Sequence, residues 1–159
     1  MNSPLVGELF HRHHRALLRY AYRVTRRHDV AEDLVQETFA RAVRSVETYE
    51  PRGRDLAWLF SILRRLLLDR HRAESRSSHV VRDADGAASA AGHQELSAIL
   101  QQALDQLNTL EREAFLLREI GGLTYNEIAQ VSETTIESVR SRIYRARLQL
   151  RSLLCSDDR

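Results

Sequence analysis

A stretch of low hydrophobicity in the middle of the chain most constrains what this sequence can fold into. Residues 73–95 read AESRSSHVVRDADGAASAAGHQE and contain only two sizeable hydrophobic side chains, Val80 and Val81. Such a segment buries too little apolar area to offset the entropy lost on ordering it. We therefore expect two small helical domains joined by a flexible linker, with the domains at 1–74 and 97–155 and the linker at 75–96.

Proline and glycine are scarce enough to favour an all-α fold. The 159 residues include 2 prolines and 6 glycines, and both prolines, Pro4 and Pro51, lie outside the long periodic segments. In those segments apolar residues recur every three or four positions, which is the spacing of one helix face. The pattern predicts three helices in the first domain, through 9–24, 31–46 and 55–72, and at least three in the second.

Several functional classes are excluded by what the sequence lacks. No apolar run is long enough for membrane insertion, and no secretory signal pattern is found near the start of the sequence. The single cysteine, Cys155, can form neither an internal disulfide nor a multi-cysteine zinc site. We therefore expect a cytoplasmic protein.

Catalytic and metal-binding signals are also missing from the sequence. There is no glycine-rich phosphate loop, no nucleophile elbow and no paired-carboxylate site. His11, His13 and His14 lack an acid or cysteine at metal-ligand spacing. We expect no enzyme activity, no metal and no cofactor.

Positive charge is concentrated in two parts of the chain. All 24 basic residues are arginine, which makes bidentate contacts with phosphate and guanine. Residues 1–78 contain 15 arginines and 10 acidic residues, and residues 138–151 contain five arginines and no acid. Residues 79–110 contain one arginine and four acids. This distribution indicates a polyanionic partner.

The C-terminal domain carries the pattern of a helix-turn-helix. Thr124 with Glu127, and Thr134 with Glu137, each have the spacing of a capping box, the first before a short helix and the second before a longer one. In such a motif the second helix lies in the major groove, and its first residues contact base edges. An inward-facing Val139 would turn Glu137, Ser141 and Tyr144 outward. A solvated, arginine-rich face of an ordinary amphipathic helix explains the same pattern.

The segment LTYNEIAQVSETTIESVRSRIYRARLQLRSLL of the second domain resembles region 4 of the extracytoplasmic-function (ECF) sigma factors of the sigma-70 family. In the first domain AEDLVQETF resembles the polymerase-binding segment of region 2, and LAWLFSILRRLLLDRHR resembles the segment that reads the minus-ten element. The motifs occur in the family's order on either side of a short linker, so the resemblance covers nearly the whole chain.

The resemblance implies partners and a residue set for each. Core RNA polymerase would be bound by Glu32, Asp33, Leu34, Val35 and Gln36. The melted non-template strand of the minus-ten element would be bound by Tyr49, Trp58, Arg64, Arg65, Asp69, Arg70 and Arg72. The duplex minus-thirty-five element would be bound by Thr135, Glu137, Ser138, Arg140, Ser141, Arg142, Tyr144 and Arg145. ECF sigma factors are commonly silenced by an anti-sigma factor, so one is implied here as well.

The residues alone leave other interpretations open. Acids at the start of the second helix also stabilise the helix dipole. Trp58 can be mainly structural, and Tyr49 can either stack on an unpaired base or pack against the protein. The arginine cluster near the end of the third helix has the pattern of a solvated face as well as of a phosphate contact.

Three positions depart from the family pattern. Arg65 stands where asparagine is usual, and Asn108 stands where proline is usual. Glu133 stands where the turn of the helix-turn-helix usually has glycine. If Glu133 is left-handed, it costs about 1 kcal/mol relative to glycine.

We interpret the chain as an alternative sigma factor that directs core RNA polymerase to specific promoters and initiates transcription. Two alternatives stay open. One is a helix-turn-helix transcription regulator that acts without polymerase core, and the other is a sigma mimic that sequesters an anti-sigma factor.

Overall fold

The computed structural model describes residues 3–49, 53–76 and 91–156, and this part of the chain contains seven α-helices and no strand. The all-α prediction is confirmed. The chain divides into two compact units, Met1–Asp85 and Gly86–Arg159. Of the predicted linker, residues 77–90 lie outside the described residues, and helices extend into both of its ends. None of the described helices combines the length and apolarity needed to cross a membrane.

The first unit is a three-helix domain. It contains α1 (Ser3–Thr25), α2 (His28–Ser45) and α3 (Asp55–Arg76). Their apolar faces meet in one core, where the ring of Tyr20 on α1 packs edge-on against that of Phe60 on α3 with 5.2 Å between centroids. The core also includes the large buried side chains of Leu9, Leu17, Phe39, Leu59, Leu63 and Leu66.

The second unit holds four helices. They are α4 (Ala91–Asp105), α5 (Thr109–Glu119), α6 (Tyr125–Val131) and α7 (Ile136–Cys155). The side-chain oxygen of Asn108 accepts a hydrogen bond from the backbone N–H of Leu110, so asparagine caps α5 without the proline usual in the family. Thr124 and Glu127 form the predicted capping box at the start of α6. The core contains Leu104, Leu117, Leu123, Ile128, Val139 and Ile143.

The capping box predicted between Thr134 and Glu137 is wrong by one residue. The side chain of Thr135 caps α7, and its Oγ1 accepts a hydrogen bond from the backbone N–H of Ser138 at 3.1 Å. Thr134 is still part of the turn, because its own N–H donates to the carbonyl of Ala129 at 3.0 Å.

The turn between α6 and α7 contains a left-handed residue that is not glycine. Glu133 has φ of 52°, and its side chain is exposed. The residue before it, Ser132, is buried and donates a hydrogen bond from its hydroxyl to a carboxylate oxygen of Glu113 on α5 at 2.9 Å. This anchored turn holds Glu133 in a conformation that disfavours a side chain with a Cβ atom.

We expect Glu133→Gly to stabilise the second unit. Relief of the left-handed conformation should outweigh the larger chain entropy of glycine and raise the free energy of unfolding by roughly 0.5–1 kcal/mol. Denaturant unfolding followed by far-UV circular dichroism measures the change. Gln130→Gly, on the exposed side of α6, is the control and should destabilise by about 1 kcal/mol. An unchanged or lower midpoint for Glu133→Gly would show that the turn is not strained.

Candidate nucleic-acid and protein interfaces

The start of α2 presents unpaired polar groups to solvent. Glu32, Asp33 and Gln36 are exposed, and neither acid forms an ion pair with any residue that the structure describes. The next acid, Glu37, differs, because Arg41 and Arg44 both contact its Oε1, at 3.2 and 3.1 Å. The hydrogen bond from Arg41 is the main cause that lowers the pKa of Glu37. Only the first two turns of α2 therefore offer uncompensated carboxylates.

The two apolar residues of the predicted polymerase-binding set differ in burial. Leu34 is half-buried, and Val35 is 4% exposed on the inner face of α2. Val35 is therefore a core residue of the first unit, whereas Leu34 has a partly accessible surface.

An aromatic pair joins the loop after α2 to the first turn of α3. The rings of Tyr49 and Trp58 stack with 3.9 Å between centroids and 9° between planes. The Tyr49 hydroxyl donates a hydrogen bond to the carboxylate of Asp55, the first residue of α3. Burial raises the pKa of Tyr49, and the hydrogen bond to Asp55 raises it further. Asp55 therefore fixes the Tyr49 ring against Trp58, and we name these three residues the aromatic platform.

One face of α3 continues from the platform. Positions 58, 65, 69 and 72 are spaced by seven, four and three residues, which places Trp58, Arg65, Asp69 and Arg72 on the same side of the helix. The nearest side-chain nitrogen of Arg72 lies 3.9 Å from a carboxylate oxygen of Asp69, which is a long distance for an ion pair. Arg65 is exposed and forms no ion pair with any described residue. The unusual arginine thus adds an uncompensated charge to this face.

The other two predicted minus-ten residues do not share this face. Arg64 and Arg70 lie on opposite sides of it, each about a third of a turn away around the helix. Arg70 forms an ion pair with Glu74 at 2.9 Å. Arg64 is half-buried and interacts with other groups of the protein.

Burial fixes the rotation of α7. Val139, Ile143, Ala146 and Leu150 are all buried, so the inward orientation predicted for Val139 is confirmed. The opposite face is open to solvent, and Tyr144 is 64% exposed on it. Of the predicted minus-thirty-five residues, Ser138 and Arg142 are half-buried, and the exposed ones are Thr135, Glu137, Arg140, Ser141, Tyr144 and Arg145.

A polar groove of about 510 Å³ lies between the start of α5 and the first half of α7. Asn108, Leu110 and Glu111 line it on the α5 side. Five predicted residues line it on the α7 side, namely Glu137, Ser138, Ser141, Arg142 and Arg145. The structure thus brings most of the predicted set to one concave surface.

Carboxylates of α5 neutralise two of the arginines of α7. Glu111, whose side chain is 16% exposed, accepts a hydrogen bond from Arg145 at 3.0 Å. Glu119 pairs with Arg147 at 2.9 Å, and this hydrogen bond raises the pKa of Arg147. No such partner, among the residues placed by the structure, pairs with Arg140 or Arg142. In the first two turns of α7, therefore, Arg142 in the groove and Arg140 outside it are the uncompensated arginines.

Sequence reasoning missed Asp55 and Glu111. Both act across a loop or between helices, and their partners lie 6 and 34 positions away. The spacing of residues within one helix cannot predict such pairs. Within the described ranges, no three His, Cys, Asp or Glu side chains form a group able to hold a metal.

Sequence models of two parts of one family match the chain. The model "Sigma-70 region 2" matches residues 9–77, and "Sigma-70, region 4" matches residues 97–150. The first model begins within α1 and covers α2 and α3, and the second covers the helix-turn-helix. The chain therefore belongs to the sigma-70 family and contains its regions 2 and 4.

Similar proteins narrow the family to the ECF class. The ECF RNA polymerase sigma factor SigE of Mycolicibacterium smegmatis is 39% identical over 95% of this chain, which spans 62% of the length of that relative. The ECF sigma factor EcfG of Rhodopseudomonas palustris is 35% identical over 81% of this chain, and the match covers 74% of the length of EcfG. A solved structure of the Bartonella quintana sigma factor RpoE with the anti-sigma factor NepR matches with a TM-score of 0.83 and 30% identity, covering 96% of this chain and 98% of that one.

We expect Asp55→Ala to release the aromatic platform. Without its carboxylate acceptor, Tyr49 should leave Trp58, its pKa should fall toward the ordinary value, and unfolding should cost about 1 kcal/mol less. Trp58 is the only tryptophan in the chain, so acrylamide quenching of its fluorescence reports the change directly. Asp55→Asn, which keeps an acceptor oxygen, should retain most of the shielding. Equal quenching in the wild type and in Asp55→Ala would contradict the positioning role of Asp55.

Proposed function

We propose that this chain is an alternative sigma factor that directs core RNA polymerase to specific promoters and initiates transcription. The observation that carries the proposal is the presence, in one chain, of a region 2 and a region 4 whose exposed side chains suit two different forms of DNA. The chain would act in the cytoplasm and by binding alone. None of its residues is assigned a covalent step.

The exposed side of α7 suits duplex DNA at the minus-thirty-five element. Arg140 lies near the start of the helix, where a recognition helix contacts base edges, and its guanidinium is uncompensated. Arginine forms two hydrogen bonds with guanine, serine donates or accepts one, and glutamate accepts one from the amino group of cytosine. We assign Arg140, Ser141 and Glu137 to base edges. The remaining predicted residues, Thr135, Ser138, Arg142, Tyr144 and Arg145, position the helix on the duplex.

The aromatic platform and the adjoining face of α3 suit unpaired DNA at the minus-ten element. A base that stacks on an aromatic ring gains about 1–3 kcal/mol, and this gain is available only after the base leaves the duplex. Arg65 and Arg72 supply positive charge for the phosphates of the same strand. Promoter opening would thus be driven by the binding energy of unstacked bases.

The first turns of α2 suit a protein partner. Glu32, Asp33 and Gln36 are exposed, and the two acids form no ion pair with a described residue. We assign these three residues, with the accessible part of Leu34, to the contact with core RNA polymerase. Val35 supports this surface from the core beneath it.

We also propose an anti-sigma factor as a partner. Support comes from the similar Bartonella quintana sigma factor, which was solved in complex with the anti-sigma factor NepR. CnrH, which was solved with the cytosolic domain of CnrY, matches with a TM-score of 0.76 and 29% identity, over 99% of this chain and 92% of that one.

Transcription with purified core polymerase on a genomic promoter library tests the proposal. We expect promoter-specific transcripts only when the chain and core are both present. Asp33→Ala combined with Gln36→Ala should weaken core binding by roughly tenfold or more, because two of the three exposed polar groups of the α2 surface are removed while the buried face stays intact. Circular dichroism checks that the fold is unchanged.

Ser45→Ala combined with Glu47→Ala is the matched control, since it removes an equal charge from another exposed part of the first unit. Wild-type core affinity in the Asp33 and Gln36 variant would contradict the α2 assignment. Tight, sequence-specific duplex binding by the free chain would favour a regulator without polymerase core. Binding of an anti-sigma factor with no transcription would favour a sigma mimic.

A further inference from the structure

An arginine stripe runs along α1 that neither of the assigned DNA surfaces includes. Four of its members are spaced by three or four residues and lie on one face of α1, namely Arg12, Arg15, Arg19 and Arg23. Arg26 follows directly after the helix ends. Residues 9–28 contain no acidic residue. The buried face of α1, which carries Leu9 and Leu17, points away from these arginines.

The first three arginines of the stripe are uncompensated. Arg12, Arg15 and Arg19 are exposed, and none of them pairs with an acid in the described ranges. By contrast, Arg41 and Arg44 on α2 share Glu37, and Arg70 on α3 is paired with Glu74.

This arrangement carries an electrostatic cost in the free protein. Like charges one turn apart on a helix repel each other and destabilise it, whereas opposite charges at the same spacing stabilise it. A polyanion laid along the stripe would remove the repulsion and release its own counterions. The stripe therefore has the properties of a surface that is completed by a partner.

We propose that the α1 arginine stripe binds the phosphate backbone of DNA and is a third DNA contact of this chain. The inference rests on the proposed function and extends it. Arginine is the side chain whose planar fork matches phosphate oxygens bidentately. From Arg12 to Arg19 the stripe rises about 10 Å, which passes about three phosphates of one strand.

The stripe belongs to the same compact unit as the aromatic platform. Tyr20 of α1 packs against Phe60 of α3, and the charge of Asp55 acts on His13, the neighbour of Arg12. α1 therefore lies alongside the helix that begins at the platform.

The salt dependence of DNA binding tests the inference. The full chain is titrated into a fluorescein-labelled 30-base-pair duplex of random sequence between 25 and 100 mM salt. Arg15→Gln combined with Arg19→Gln should lower the slope of log affinity against log salt by about 2, because each lost phosphate contact removes about 0.9. Its affinity at 100 mM salt should fall roughly 60-fold, because a slope change of about 1.8 acts over one decade of salt below 1 M.

Arg41→Gln combined with Arg44→Gln is the matched control. It changes the net charge equally but removes arginines that are already paired with Glu37, so its slope should change by less than about half a unit. Equal slopes for the two double variants would overturn the inference. So would an unchanged DNA slope with weaker binding to core polymerase, which would identify the stripe as a contact for an acidic protein surface.

Promoter-specific transcription by the wild type with core is measured in parallel. If transcription is normal and the stripe variant keeps its slope, only this inference fails. If the wild type gives no transcript, the proposed function fails, and the salt slopes still report whether the stripe binds phosphate.

Discussion

The burial of one face of α7 is the constraint on which the assignment of the second unit depends. Val139, Ile143, Ala146 and Leu150 together occupy its inner side. Burying one Val, Ile or Leu side chain stabilises by about 1.5–3 kcal/mol, whereas an exposed ion pair contributes about 0–1 kcal/mol. The apolar stripe therefore sets the rotation of the helix, and the ion pairs with α5 adjust to it. Once the rotation is set, Ser141 lines the groove and Arg140 is exposed to solvent, and neither can exchange places with a core residue.

Charge compensation then separates the cations that are available to a partner from those that are occupied. Arg145 and Arg147 each contact a carboxylate of α5, while Arg140 and Arg142 contact none among the described residues. The same division holds in the first unit, where Glu37 occupies two arginines of α2 and Arg65 on α3 stays unpaired. Counting arginines in a basic segment thus overestimates the charge that it can present to phosphate.

Helical periodicity and scarce proline predicted the all-α fold and the inward orientation of Val139, because both follow from spacing within a single element. The start of α7 was misplaced by one residue, since Thr134 and Thr135 both satisfy the cap pattern and only the hydrogen bond from Thr134 to Ala129 distinguishes them. The partners of Tyr49 and Arg145 could not be predicted, because they depend on tertiary packing. Glu133 departs from the family pattern in residue type only, because its backbone keeps the left-handed conformation that the usual glycine would adopt.

The most direct test of the rotation of α7 compares Arg140→Ala with Arg147→Ala in holoenzyme bound to a set of minus-thirty-five variants over a salt series. Arg140→Ala should cost about 1–3 kcal/mol and relax the preference at one or two base pairs. Arg147→Ala should leave the order of preference unchanged, because this arginine is occupied by Glu119 and lies two turns further along the helix. A changed base preference in Arg147→Ala, with a uniform loss across all sequences in Arg140→Ala, would contradict the assigned rotation.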